Sequence, residues 1–309
     1  MAVSLCKAAN EARPNWLCSF PKKFGSWDRY GVGEILGWNM GIKPETVVFR
    51  KTNGHLGRRI SVSPENSAAR HLGYGRIILK DRSKQVAFAN EDRETGLLVL
   101  SGSATAAVDG VPHELGQYDS IYIPRDSHID ISTRSEADVA EFSSEVAQRY
   151  PLKLVPYSEV LNDPALKWTA GSTGQMRQVS MLIGKNVQAG RLMLGFTISD
   201  PGNWTSWPPH EHAAMLEEMY VYFNMPEPAF GIQMVYDDTQ SPELVTVVRD
   251  GDAVLMPSGY HPNVSVPGHT ICFLWAMAAH REVEDRKFGV VNVQPGFGAA
   301  GSGLEASRR

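Results

Sequence analysis

Trp207-Pro208-Pro209-His210-Glu211-His212, with Glu217-Glu218 close behind and Pro257-Ser258-Gly259-Tyr260-His261 further on, decides how this chain reads. In a strand, residues i and i+2 point to one side, so His210 and His212 present two imidazoles to one spot. A carboxylate follows five or six residues after His212, and a third histidine, His261, arrives on a later segment. Three neutral imidazoles and one carboxylate suit a divalent transition metal and leave positions open for water or substrate. An isolated His-x-His is common by chance, but its surroundings here favour a site. Trp-Pro-Pro imposes extended backbone ahead of the pair. Residues 218–223 read as a strand of aromatic and β-branched residues. Residues 249–252 read as a turn and 253–256 as a short buried strand, ended by Pro257 and Gly259. On residues 218–222, Glu218 shares a face with Tyr220 and Tyr222, whereas Glu217 faces the other way. Glu217 is then a solvated residue, a partner for a ligand histidine, or a proton-transfer group.

An internal repeat widens the reading. Asp252, Pro257 and His261 recur at the same spacing as Asp119, Pro124 and His128. The run from Glu94 to Gly102 resembles the strand that opens at Glu218. No His-x-His precedes Glu94, so the first copy offers at most Glu94 and His128. Two homologous β-domains are expected, one with a metal and one without.

His-x-His, a nearby Glu, then Gly251, Pro257, Gly259 and His261 resemble the two motifs of the cupin superfamily. The longer match, over residues 202–212, 216–220, 230–236 and 248–252, resembles the family of 5-deoxy-glucuronate isomerase (inositol catabolism) and 4-deoxy-L-threo-5-hexosulose-uronate isomerase (pectin catabolism). It is strong from about residue 195 to 277 and rests mostly on the repeat before that. The segment between His212 and Glu217 is shorter than in the inositol-pathway enzyme, and residues 273–277 look more like the pectin-pathway relative. The resemblance implies an all-β, two-domain cupin (bicupin) of double-stranded β-helix, or jelly-roll, barrels. It implies His210, His212, Glu218 and His261 as ligands of one divalent ion, zinc first, with manganese or iron also suited to the donor set. It implies an aldose–ketose isomerase acting on a small deoxyuronic sugar acid, most closely 5-deoxy-glucuronate to 5-dehydro-2-deoxy-gluconate, through a metal-stabilised enediolate. Glu217 and Glu218 are the candidate catalytic carboxylates. Arg177 resembles a family arginine and would meet the substrate carboxylate. Gln233 and Tyr260 complete the candidate substrate contacts, with Tyr236 on the face opposite Gln233. Ligands alone leave a cupin dioxygenase, a non-catalytic sugar-binding barrel and a neutral-sugar isomerase as alternatives.

Composition agrees. The 309 residues suffice for two ordinary domains, and 28 Gly with 19 Pro suit a turn-rich β protein. A net charge of −4 offers no basic field for nucleic acid. No apolar run spans a membrane, and no signal-like segment opens the chain, so a reducing cytoplasm is the default expectation. Cys6, Cys18 and Cys272 show no metal spacing, and Cys272 reads as core filler. His55, His71, His113, His269 and His280 read as surface residues. The expected organisation is 1–150 for the metal-free domain, with 1–41 an irregular arm, 151–295 for the metal domain, and 296–309 a flexible tail. A homo-oligomer is left open.

Overall fold

A computed structural model describes residues 42–298. The expected arm, Cys6 and Cys18, and residues 299–309 of the expected tail lie outside the described residues. Within them the chain is strand and turn, broken by two short helices, Pro44–Val47 and Tyr157–Asn162. The first strand, Val48–Phe49, is only two residues long, because Pro44 at the first helical position turns residues 44–47 into one helical turn. The run from Glu94 to Gly102 lies within strand Arg93–Gly102, and the strands expected over 218–223 and 253–256 are Leu216–Tyr222 and Ala253–Met256.

Two large antiparallel sheets dominate. The first runs, in order, Lys153–Val155, Ser120–Ile123, Arg93–Gly102, Ala137–Glu145, Gly73–Leu79, Gly57–Val62. The second runs Val48–Phe49, Ala253–Met256, Leu216–Tyr222, Cys272–Ala279, Leu192–Ser199, Arg177–Ile183, Lys167–Ala170. A four-stranded sheet accompanies each: Gln85–Ala89, His128–Ser132, Ala104–Val108 and Val111–Leu115 for the first, and Trp204–Thr205, Asn263–Ser265, Gly231–Val235 and Leu244–Val248 for the second. Strand pairing passes from the first set to the second across residues 156–166, with one exchange. Val48–Phe49, early in the chain, pairs with Ala253–Met256 in the second large sheet.

The large sheets are covered on both faces, which explains sequence runs that do not alternate. Leu97 and Val99 pack with Ile77, Ile121, Ile129 and Ile131 toward the small sheet. Their neighbours Leu98 and Leu100 join Tyr74, Tyr122 and Phe142 in a cluster that continues through Ile183, Leu194 and Phe196 of the second set. A strand buried on both faces needs apolar residues at every position. Leu216–Tyr222 is likewise buried throughout, although it carries Glu217 and Glu218. Those two carboxylates therefore require partners.

Glu217 finds them across the two sets. Its carboxylate accepts the backbone N–H groups of Arg70, His71 and Leu72 at 2.7, 2.8 and 2.6 Å. Glu94, on Arg93–Gly102, does the reciprocal thing. It accepts N–H from Gly190, Arg191 and Leu192, and the Tyr122 hydroxyl, each at 2.7 Å. In each case the amides belong to the chain entering a strand of the opposite large sheet, Gly73–Leu79 for Glu217 and Leu192–Ser199 for Glu94. Charge-assisted bonds of this kind are the strong class.

Candidate metal centre

Three elements bring the ligands together. His210 lies on the two-residue strand His210–Glu211, with His212 just beyond it. Glu218 sits on Leu216–Tyr222, directly opposite Met256 and Met277 of the neighbouring strands. His261 follows a tight turn at Gly259, whose φ of +90° suits glycine, and where a Cβ would press to 3.2 Å from Val235 Cγ1. Nε2 of His212 and Nε2 of His261 each lie 3.0 Å from the same Glu218 Oε2. One donor atom from each of these residues falls within 4.8 Å of the others. All three residues are buried. His210 stands beside this trio, its ring centroid 5.1 Å from that of His261 and 6.3 Å from that of His212.

The hydrogen bonds fix how the imidazoles are presented. Nδ1 of His210 meets Pro208 O at 2.8 Å, Nδ1 of His261 meets Gly259 O at 2.8 Å, and Nδ1 of His212 meets Leu216 O at 3.3 Å. A carbonyl only accepts, so each Nδ1 carries the proton and each neutral ring keeps its lone pair on Nε2. His261 Nε2 is buried and lies off the line of a hydrogen bond to Glu218. Two bare nitrogens facing one carboxylate oxygen at 3.0 Å repel unless a metal ion lies among them or a proton on Nε2 turns the contact into a charged hydrogen bond. The donor set therefore fits a divalent ion, and the same tie of the far nitrogen to a carbonyl is how metal-bound histidines are oriented.

Without an ion, a proton on His212 takes its place. Burial alone would raise the Glu218 carboxyl, but hydrogen bonds and charge from His212 and His261 outweigh it and hold it at about 2. For His212, burial favours the neutral ring, and the Glu218 contact overcomes it, raising the pKa. His210 has no such carboxylate contact. Desolvation, then repulsion from His261, pull it down to about 3 and keep it neutral.

Beside the ligands opens a pocket walled by Phe273, Trp275, Met277 and Phe288, with Arg177, Ser206, His210, Glu218 and Tyr220 as its polar lining. Arg177 thus reaches the same pocket as the ligands. It is 5% exposed and donates to Gln175 O at 2.9 Å and Trp207 O at 2.7 Å, and burial lowers its pKa to about 10. Three other candidates lie away from this pocket. Glu217 binds the amides of residues 70–72 and faces away from Glu218. Gln233 is fully buried and outside the pocket lining. Its amide donates to Met234 O and His261 O at 2.8 and 3.1 Å, and its oxygen accepts from Tyr222 at 2.6 Å. These bonds tie it to the His261 segment. Tyr260 is half-buried against the Tyr236 ring at 5.8 Å and also lies outside the lining. In the first copy, Glu94 is consumed by its amides and His128 is exposed, so the two build no site. Nor are His71 and His280 plain surface residues, since both are half-buried with ring centroids 5.4 Å apart.

Tyr220 and Ser206 were not singled out by the sequence reading. Their hydroxyls are 2.7 Å apart, both side chains are buried, and burial followed by the Glu218 charge drives the Tyr220 pKa well up. The signal for Tyr220 was available: it lies two residues from Glu218 on the same strand face.

A family model described as the KduI/IolB family matches residues 48–291. The 5-deoxy-glucuronate isomerase of Geobacillus kaustophilus is 28% identical over 240 residues, covering 72% of this chain and 84% of that protein. That of Lacticaseibacillus casei is 27% identical over 260 residues, covering 77% and 94%. Among solved structures, an IolB-like protein from Salmonella typhimurium is similar with a TM-score of 0.71 and 23% identity, over 80% of this chain and 96% of that one. Oxalate decarboxylase of Bacillus subtilis is similar with a TM-score of 0.55 and 12% identity, over 75% and 76%. These two likenesses carry the fold alone, all-β and cupin-type.

Proposed function

We infer that this chain, which belongs to the KduI/IolB family, is a metal-dependent aldose–ketose isomerase that converts 5-deoxy-glucuronate to 5-dehydro-2-deoxy-gluconate. One observation carries the reading. Three imidazoles with Nδ1 tied to carbonyls, and one carboxylate, meet beside a pocket that also holds a buried arginine. His210, His212, Glu218 and His261 would hold the ion. Bound there, it would supply Lewis-acid stabilisation of the charge that develops on a substrate oxygen when the α-proton passes from carbon to the carboxylate of the pocket lining, Glu218, which returns it to the neighbouring carbon. Arg177 receives the sugar carboxylate in the bidentate manner guanidinium favours. Tyr220 and Ser206 pass a hydroxyl proton between substrate oxygens, and their 2.7 Å contact supports that role. Phe273, Trp275 and Met277 keep water from the reacting carbons.

Finer expectations belong to the same reading: zinc as the ion, two barrels of which the first is metal-free, a homo-oligomer, and a cytoplasmic setting. No helix among the described residues is long and apolar enough to cross a membrane. The test is turnover by stripped and remetallated protein, with products followed by NMR. 5-Deoxy-glucuronate should be consumed in preference to the pectin-derived hexosulose uronate, and in deuterium oxide the product should carry deuterium at the carbon that receives the proton. Full retention of the substrate hydrogen would mean a hydride shift. Oxygen uptake in step with turnover would mean a dioxygenase; the first result overturns the proton-transfer route and the second the isomerase reading.

A further inference from the structure

His210 is the outlying member of the donor set, and its strand has one pairing partner among the described residues. That partner is Asn292–Val293, from the segment that follows the last long strand. His210 stands opposite Val293, and Glu211 opposite Asn292. On one side of the pair Gln294 N donates to Pro209 O at 2.9 Å, and on the other the Asn292 amide donates to the Glu211 carboxylate. The strap is anchored in turn. Tyr236 donates its hydroxyl to Gln294 Oε1 at 2.8 Å, and Phe297 sets its ring edge against Trp207 at 5.2 Å. The same segment supplies Phe288, a wall of the pocket, packed between Trp168 and Trp275.

We propose that residues 292–294 are positioning residues for the fourth ligand: the strap holds the His210 strand so that Nε2 of His210 reaches the ion that His212, Glu218 and His261 share. The inference rests on the reading of His210 as a ligand. The geometry gives a reason for the strap. His212 and His261 each place Nε2 3.0 Å from Glu218, and Glu218 lies inside a seven-stranded sheet. His210 has no contact of that kind, and a two-residue strand is too short to hold its own direction. Backbone bonds from a second strand supply what the length does not. Loss of a group that orients a ligand typically costs ten- to a hundred-fold in metal affinity.

The test uses the full-length chain. Gln294→Pro removes the N–H that bonds Pro209 O, whereas Gln294→Ala removes only the Tyr236 anchor and Asn292→Ala only the Glu211 contact. Zinc affinity of each is measured by competition with a chromophoric chelator, alongside His210→Ala, the His210→Ala/Gln294→Pro double variant, and the melting temperature of each stripped protein. Cobalt-loaded samples report the ligand field by their visible spectra. Gln294→Pro should lose roughly ten- to a hundred-fold in zinc affinity. It should take on the cobalt spectrum of His210→Ala, with little further loss in the double variant and a stripped melting temperature close to the parent's. The two milder variants should lose less, in the same direction. Unchanged affinity and spectrum in Gln294→Pro, while His210→Ala loses both, overturns the strap's role and leaves the ligand reading intact. Unchanged affinity in His210→Ala itself overturns the ligand reading and this inference with it. A large fall in the stripped melting temperature of Gln294→Pro, with normal affinity in both milder variants, marks the strap as a folding element and also overturns the inference.

Discussion

The Nδ1-to-carbonyl bonds of His210, His212 and His261 do two jobs for a metal site: they set the tautomer and restrict ring rotation. His212→Ala should therefore abolish zinc binding and turnover together, whereas His128→Ala, at an exposed position of the first set, should leave both near the parent's values. Metal content per chain and initial rates decide it, and equal loss in the two variants would contradict the asymmetry. Gln233 separates a supporting role from a substrate contact. With the amide gone, the Tyr222 hydroxyl and the His261 carbonyl lose a buried partner, at about 1–3 kcal/mol per group. Gln233→Ala should thus lower unfolding stability by about 2 kcal/mol in urea titrations, with KM for the sugar acid little changed. A raised KM at unaltered stability would restore the substrate contact. The approach of His212, Glu218 and His261 was legible in the sequence because period-two alternation and Gly-x5-Pro-x-Gly-x-His spacing are local properties. The placement of Gln233 and Tyr260 away from the pocket was not legible, because facing direction at a strand end depends on partners far along the chain, Tyr222 and Asn263 for one and Tyr236 for the other.

Glu94 and Glu217 act between elements. Each sits inside a strand buried on both faces and accepts hydrogen bonds from three successive amides of the opposite set. The repeat in the sequence pairs Glu94 with Glu218, but by what the side chains do, the counterpart of Glu94 is Glu217. The one-residue error has a physical origin. Where both faces of a strand are apolar, alternation carries no information about which face a lone carboxylate takes. That the helical turn Pro44–Val47 hands Val48–Phe49 to the far sheet was beyond the sequence for a related reason, since its partner Ala253–Met256 lies some two hundred residues away. Glu94→Ala and Glu217→Ala should each cost about 3 kcal/mol or more, because buried amides lose an ionised acceptor. Glu217→Ala should nevertheless bind zinc stoichiometrically once folded, since its carboxylate faces away from the ion. Urea unfolding and metal content measured on the same samples test both halves. A Glu217→Ala protein of parental stability that binds no metal would reverse the assignment.

The Glu217 clasp also brings a histidine into the region where the two strand sets meet, and this gives the whole molecule a pH dependence. His71, whose N–H is one of the clasped amides, is half-buried against His280. Burial first, then Arg191, His280, Arg70 and Arg93, lower its pKa from 6.5 to about 4. A folded-state pKa below the unfolded value means that between the two the unfolded chain holds a proton the folded chain refuses. The contribution is therefore complete above about pH 6.5 and is lost as pH falls toward 4. His71→Gln keeps the backbone N–H for Glu217 and removes the titrating ring. Measured by urea unfolding of metal-free protein, the parent should lose stability relative to His71→Gln as pH drops from 6.5 to 4, and the difference should be flat above pH 7. Protonation of the metal ligands is common to both proteins and cancels in the comparison. A difference that stays constant across the acid range would show that His71 titrates alike in the folded and unfolded chains, and that the junction does not exclude its proton.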